Sequence, residues 1–507
     1  MGGSLIARQL SREAPGLSIG IFEKNTETSY KVGESTVEIA GSYLIRRVGL
    51  SRYLYEHHLP KNGLRYFFDD AEKQAELTEM SEVGTVNLPF HPAFQVDRAR
   101  LDADLLVMNE KAGIAIHTGT KVDDLAMGQG GAAHSFRIER DGVKERVECR
   151  WLLDASGRTA LVSRALDLRV KEENHSMLSV WGRFEGVADV DDWGDPAFSA
   201  RVRHTARGIS TMHFCYSGYW IWVIPLGAGI TSIGVVGQPP GEFKALRTKE
   251  GFRAFLESHR VMASLLTQAK PIDVEGLKNF SYGTRRFFSA DRWGLIGEAA
   301  AFPDPLYSPG ADFIALENDF LCDLVKRDLA GEADEAMARR VELYDDFMAF
   351  RFEAAMRLYR GHYGMIGSFD LMRMKWDFDI GCYFNLWVAP YFLDECLDER
   401  YLRRQVRQQR FILQALQNFS DLFRAAEVHV RERGEYHQRN LGVFSHGLEN
   451  IDFIEEVGLP RSQRVILEKT GEIFNGVRRR GLELLGRDVD ADTSLPLTTM
   501  MTPRPIF

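Results

Sequence analysis

The chain has 507 residues, a formal charge of −9, 45% hydrophobic content and five cysteines. That length allows two or three cores, and an acidic balance of mixed sign excludes a nucleic-acid surface, whose phosphates call for a basic face. Cys149, Cys215, Cys322, Cys382 and Cys396 form no C-x-x-C pair, so neither a zinc site nor a disulfide framework is expected, and free thiols in a reducing cytoplasm fit instead.

In chain order, residues 4–13 read as a helix broken by Pro15-Gly16, and 17–22 (LSIGIF) read as a short strand ending at Glu23. That order is the second half of a βαβ nucleotide-binding unit. Residues 134–148 (HSFRIERDGVKERVE) read as a hairpin around Asp141-Gly142, and 151–154 as one more strand. From 168 to 278 strands dominate. The run 218–237 (GYWIWVIPLGAGITSIGVVG) is nearly long enough to span a bilayer, but Pro225, Gly227 and Gly229 interrupt it. It reads as two buried strands, 219–224 and 231–236, joined by a glycine turn. Residues 293–297 return to a parallel-type strand, a helix follows from Gly310, and the remainder from about Glu335 is rich in helix formers and aromatics. The opening MGGSLIARQL lacks the apolar region of a signal peptide, so the expected location is cytoplasmic, with no membrane partner.

These elements predict an α/β protein. Residues 1–167 form the first part of a Rossmann-like nucleotide-binding fold and 281–334 its second part. An antiparallel roof at 168–280 interrupts it, and a helical region at 335–507 follows.

Gly2-Gly3 opens the first helix and Glu23 ends the following strand. Glycine lets backbone amides approach a pyrophosphate at the positive helix end, and a carboxylate there binds a ribose hydroxyl pair. Gly3, Glu23 and the adjacent Lys24 are therefore candidate cofactor contacts, which favours FAD over FMN. A complete G-x-G-x-x-G needs two earlier glycines and a preceding strand, so the natural reading frame is expected to start about ten to fifteen residues upstream. Only one such fingerprint is present, so NADPH is not expected to bind.

Further pieces follow in order. Val32-Gly33-Glu34-Ser35-Thr36 lies downstream of Glu23; 94–106 (FQVDRARLDADLL) is a strand leading to a helix with Arg98 at its start. Residues 152–158 (LLDASGR) end a strand in Asp154, and 294–310 (GLIGEAAAFPDPLYSPG) carry Glu298 and a turn before the helix at Gly310-Ala311. This ordered set resembles the FAD-dependent aromatic hydroxylase and halogenase superfamily over about residues 2–330. Trp220-Ile221-Trp222-Val223-Ile224-Pro225 is similar to the W-x-W-x-I-P motif of flavin-dependent halogenases. The resemblance implies that Trp220, Trp222, Ile224 and Pro225 stand between flavin and substrate. Alternating tryptophans on a strand are otherwise simple packing.

Lys61 matches the lysine that such halogenases place at the end of a hypohalous acid tunnel. The other reading is a solvated loop lysine. The resemblance also implies a halide site at Ser308, Pro309 and Gly310, yet Pro309 has no N–H to offer. Indole-type members carry a glutamate where this chain has Tyr307, which suits a self-activating phenol or pyrrole. Glu298 replaces the usual aspartate. The implied function is an FADH2-dependent halogenase: flavin hydroperoxide oxidises chloride or bromide with O2, and Lys61 delivers hypohalous acid to a small aromatic, free or carrier-bound. A separate flavin reductase would supply FADH2. The alternatives are a flavin monooxygenase without halide chemistry and a catalytically silent flavoprotein. The histidines show no metal spacing, so no metal is expected, and the aromatic series Tyr359, Tyr363, Phe369, Trp376, Phe378 and Trp387 fits either the wall of an aromatic pocket or, the favoured reading, helical core.

Overall fold

A computed structural model of the protein describes residues 1–447, 452–489 and 494–507. The opening helix, Gly2–Glu13, buries Leu5, Ile6 and Leu10 and packs against the helices Gly310–Leu329 and Arg98–Lys111. The strand after it is shorter than the apolar run implies: Gly20–Phe22 pairs in parallel with Ala115–His117. A separate group pairs Leu152–Asp154 in parallel with Trp293–Leu295, which also meets Phe288–Ser289 antiparallel. A cleft of about 2020 Å³ runs between the two groups. The hairpin forms as expected, His134–Arg140 against Val143–Cys149. Its turn residues Asp141 and Gly142 both have positive φ, 52° and 78°, the geometry that matches strand twist.

The 218–237 run forms the strands Tyr219–Gly227 and Ile230–Gly237 of a nine-stranded sheet. Among the described residues no helix is long and apolar enough to cross a membrane. Alternation decides the faces. Trp220, Trp222 and Ile224 join the larger core, whereas Ile221 and Val223 pack with Phe252, Phe255 and Met262 of the helices behind. Gly234 lies opposite Trp222, and a Cβ there would stand 2.2 Å from the indole. The sheet reaches beyond the 168–280 boundary, because Leu64–Phe68, Ser81–Val83 and Phe444–Ser445 add to its edge. The 168–280 stretch is also less purely stranded than its composition suggests, since Lys249–Glu257 and Arg260–Leu265 are helices.

From residue 334 helices dominate the described residues, with Asp334–Arg357, Phe369–Cys382, Glu399–Glu432 and Gln463–Leu484 as the long members. Phe378 stacks on Phe419 at 4.4 Å and approaches Phe474 at 5.2 Å, which locks three of these helices together. After Cys382 the chain widens into a π-helical stretch, Tyr383–Val388, a form often found beside functional sites. Two groups of residues in this region, 448–451 and 490–493, lie outside the described part.

Candidate active site

The cleft gathers residues that are far apart in sequence. Gly3, Glu23, Lys24, Gly33, Glu34, Ser35, Arg98, Asp154, Glu298, Gly310 and Ala311 all line it. Strand ends and turns place most of them, which is where a nucleotide fold presents backbone amides and carboxylates. Asp154 is buried at its strand end and accepts from the amides of Ser156 (2.9 Å) and Val162 (2.8 Å), which shapes the next turn. Gly33 has φ +97°, and a Cβ there would lie 2.9 Å from the Arg98 guanidinium. That guanidinium donates to Val32 O at 3.0 Å and pairs with Asp102 at 3.0 Å. Glu298 is held by Arg158 at 3.3 Å. Glu34 is less available than its position implies. Its Oε1 accepts from Arg183 Nε at 2.9 Å, and burial raises its carboxyl pKa while Arg183 opposes the rise. The dimensions and donor set fit FAD, with Gly3 and Gly310-Ala311 at the two helix starts and Glu23 at the strand end.

Trp220, Trp222 and Ile224 are buried in the cleft wall. Their rings, Trp220 and Trp222, lie 5.9 Å apart, and Trp220 Nε1 donates to Tyr363 Oη at 3.3 Å. Pro225 sits at a register shift in the strand, where its carbonyl accepts from Gln95 at 2.9 Å.

Lys61 is 1% exposed, so it is not a loop lysine in water. Its Nζ donates to Ser35 Oγ and Thr36 O, both at 2.8 Å. Ser35 in turn accepts from Ser308 Oγ at 3.0 Å and shares a hydrogen bond with Thr211. Burial lowers the Lys61 pKa to about 8, with the carboxylates of Glu38 and Asp312 opposing.

Those two carboxylates line a second space of about 430 Å³, walled mainly by the C-terminal helices. Asp312 accepts from the Ala40 amide (2.8 Å) and Tyr383 Oη (2.9 Å), and burial raises its pKa to about 7. Tyr307 lines the same pocket and donates to Asp379 at 2.7 Å. Of the six aromatics expected in the core, Tyr359, Trp376 and Trp387 face the pocket, while Tyr363, Phe369 and Phe378 are buried elsewhere. Pro309 and Phe313 line both spaces, so the 309–313 segment is shared by cleft and pocket, whereas Lys61 lines neither and reaches the cleft through Ser35.

The expected halide turn differs from the sequence expectation in one respect. Ser308 has φ +56°, its amide donates to Pro305 O at 2.9 Å and its hydroxyl to Ser35. With Pro309 lacking an N–H, the turn's remaining anion donors are the first amides of the Gly310 helix. Glu38, Asp312, Asp379 and Arg351 were not legible as site residues. They fall on helices with no short motif, and only their burial in the pocket wall marks them.

Residues 2–300 match the FAD binding domain family. A flavin-dependent halogenase, chlA of Dictyostelium discoideum, is 27% identical over 431 residues, covering 77% of this chain and 69% of its own. A pyrrole-2-carbonyl peptidyl-carrier protein chlorinase of Pseudomonas fluorescens is 26% identical over 335 residues, or 61% and 70% of the two chains. In fold, the chain is similar to halogenase PltM solved with phloroglucinol and FAD: TM-score 0.68, 16% identity, 99% of this chain and 97% of that one. The chain belongs to the FAD binding domain family and is an FAD-dependent oxidoreductase similar to flavin-dependent halogenases.

Proposed function

We propose that the protein is an FADH2-dependent halogenase of an electron-rich aromatic, a phenol or pyrrole, with Lys61 handing on the electrophile. When bound and reduced by a separate flavin reductase, FAD supplies the activation of O2 that oxidises chloride or bromide to hypohalous acid. Gly3, Glu23, Arg98, Asp154 and Glu298 would hold the cofactor, and the Gly310 and Ala311 amides would face its far edge. The cleft's tryptophans exclude water from the reacting face.

The observation that carries this reading is the placement of Lys61. Its buried ammonium contacts Ser35 on the cleft side and feels Glu38 and Asp312 on the pocket side. A single buried donor at a partition can hold a small oxidant by hydrogen bond and present it across the wall. The pocket's volume and its Tyr359, Trp376 and Trp387 walls suit an aromatic ring. The pyrrole chlorinase relative and the phloroglucinol in the PltM structure support the substrate class, the former also a carrier-bound form. Incubation with a flavin reductase, bromide and a panel of phenols, pyrroles and indoles should give a brominated phenol or pyrrole by mass spectrometry. Bromination of indoles alone would reject the substrate class.

A second reading, a flavin monooxygenase without halide chemistry, draws support from the engaged Ser308 amide and from Pro309. Hydroxylated product formed equally with and without halide would establish it. A protein that carries FAD yet gives neither product would be the silent flavoprotein.

A further inference from the structure

Asp379 keeps its two carboxylate oxygens in different company. Oδ2 accepts two hydrogen bonds, from Tyr307 Oη at 2.7 Å and from Lys375 Nζ at 2.5 Å. Oδ1 is buried without any hydrogen-bond partner. The residue as a whole is 2% exposed and lies in the pocket wall. Lys375 is equally buried and one helical turn earlier on Phe369–Cys382. A pair serving only to pin that helix would close both oxygens, because an orphaned buried acceptor is costly. Here the supports converge on one oxygen and leave the other buried and unpartnered, in a residue of the pocket wall.

We propose that Asp379 is the base that takes the hydroxyl proton of a phenol bound in this pocket, through Oδ1, while Tyr307 and Lys375 position it through Oδ2. This rests on the halogenase reading and narrows its substrate class to phenols. In the step, the phenolic O–H bond breaks, its proton passes to Oδ1 and the electron pair stays on the phenolic oxygen. Pushed into the ring, that pair lets an ortho or para carbon attack the halogen of hypohalous acid. The C–halogen bond forms and the O–halogen bond breaks; the ring is oxidised by two electrons and the hypohalous acid reduced. The departing hydroxide takes the ring C–H proton and leaves as water, and the halophenolate recovers its proton from Asp379. Lys375 supplies the cation that keeps the pair's negative charge tolerable. Burial raises the Asp379 pKa above the usual carboxylate range, Lys375 opposing, which brings the base closer to a phenol in proton affinity.

The test compares wild type, Asp379→Asn and Tyr307→Phe, all FAD-loaded, with reductase, bromide and 4-methylphenol from about pH 6 to about pH 9. Wild type should brominate with an acid limb set by Asp379 and a fall above about pH 8 as the Lys61 ammonium titrates, a fall that the variants share. Asp379→Asn should be slower by about 100-fold at neutral pH, with the deficit shrinking as pH approaches the phenol's own ionisation. Should the Asn variant fail to bind FAD, Tyr307→Phe decides. Loss of a donor to the carboxylate raises the Asp379 pKa, so the acid limb should move to higher pH. A second readout needs no turnover: difference spectra of 4-nitrophenol bound to the oxidised protein should show more phenolate absorbance in wild type than in Asp379→Asn at the same pH. A pH-independent loss in the Asn variant, or an unmoved acid limb in Tyr307→Phe, overturns the proposal. If wild type brominates pyrroles but no phenol, the halogenase reading stands and this proposal falls. If it brominates nothing, the halogenase reading fails on its own, and the nitrophenol spectra decide whether Asp379 accepts a phenolic proton, identical spectra rejecting it.

Discussion

The cleft draws most of its lining from residues before 315, at strand ends and turns, whereas the pocket draws most of its lining from helix faces after 350. The cleft has to bind a cofactor through backbone amides and a few carboxylates, so its requirements fall on glycines and short turns. The pocket has to enclose a ring, and any apolar helix face with a few buried polar groups can do that. One space is therefore written in motifs and the other in packing. They share Pro309 and Phe313, and the comparison can be broken by changing each side separately.

The largest expected effect on stability is at the partition. A fall of the Lys61 pKa from 10.5 to about 8 corresponds to about 3 kcal/mol at about 1.4 kcal/mol for each tenfold change. The lowered pKa means that the folded state disfavours the ammonium. The cost is full below about pH 8, where both folded and unfolded chains are charged, and fades as pH rises toward 10.5. Lys61→Met should therefore gain up to about 3 kcal/mol in denaturant unfolding at pH 7, reduced by the two lost hydrogen bonds. The gain should shrink at alkaline pH; a gain that grows with pH would contradict the sign.

Next is the tryptophan wall. Gly234→Ala puts a Cβ into the Trp222 indole and should cost about 1–3 kcal/mol in unfolding free energy. Gly33→Val, through its φ and its collision with Arg98, should weaken FAD binding about tenfold by fluorescence titration. It should leave phloroglucinol binding unchanged, since Gly33 belongs to the cleft alone. The smallest effect is on the pocket side. Tyr383→Phe removes one donor from Asp312 and should cost about 1 kcal/mol without changing FAD affinity. Equal losses in both affinities for either variant would show that the two spaces are not independent.

Glu23 and Asp154 were readable because an acidic residue closing a short apolar strand has few other uses, and Lys61 because its segment carries a family resemblance. The tryptophan pair was singled out through its W-x-W-x-I-P resemblance, while strand alternation pointed only to packing. Glu34 illustrates the limit: its place in the turn was clear, but its partnership with Arg183, 149 residues away, has no local signal. Likewise Asp379 sits in a stretch, RMKWDFD, where charged residues four apart read as an ordinary helix pair. Only the fold shows that both are buried and that Tyr307 reaches them. The aromatic helices were legible as helices, but side-chain periodicity cannot separate a core face from a pocket wall. That is why Tyr359, Trp376 and Trp387 were grouped with Phe378.

The most direct test of the account asks whether Lys61 joins the oxidation in the cleft to the ring in the pocket. With reductase, FAD, bromide and phloroglucinol, oxygen consumption and brominated product should be measured together for wild type and Lys61→Ala. The account predicts oxygen consumption within about twofold of wild type and product lower by at least about 100-fold, with FAD affinity intact. Product retained within about tenfold of wild type, at equal FAD occupancy, would reduce Lys61 to a buried structural residue and contradict the account.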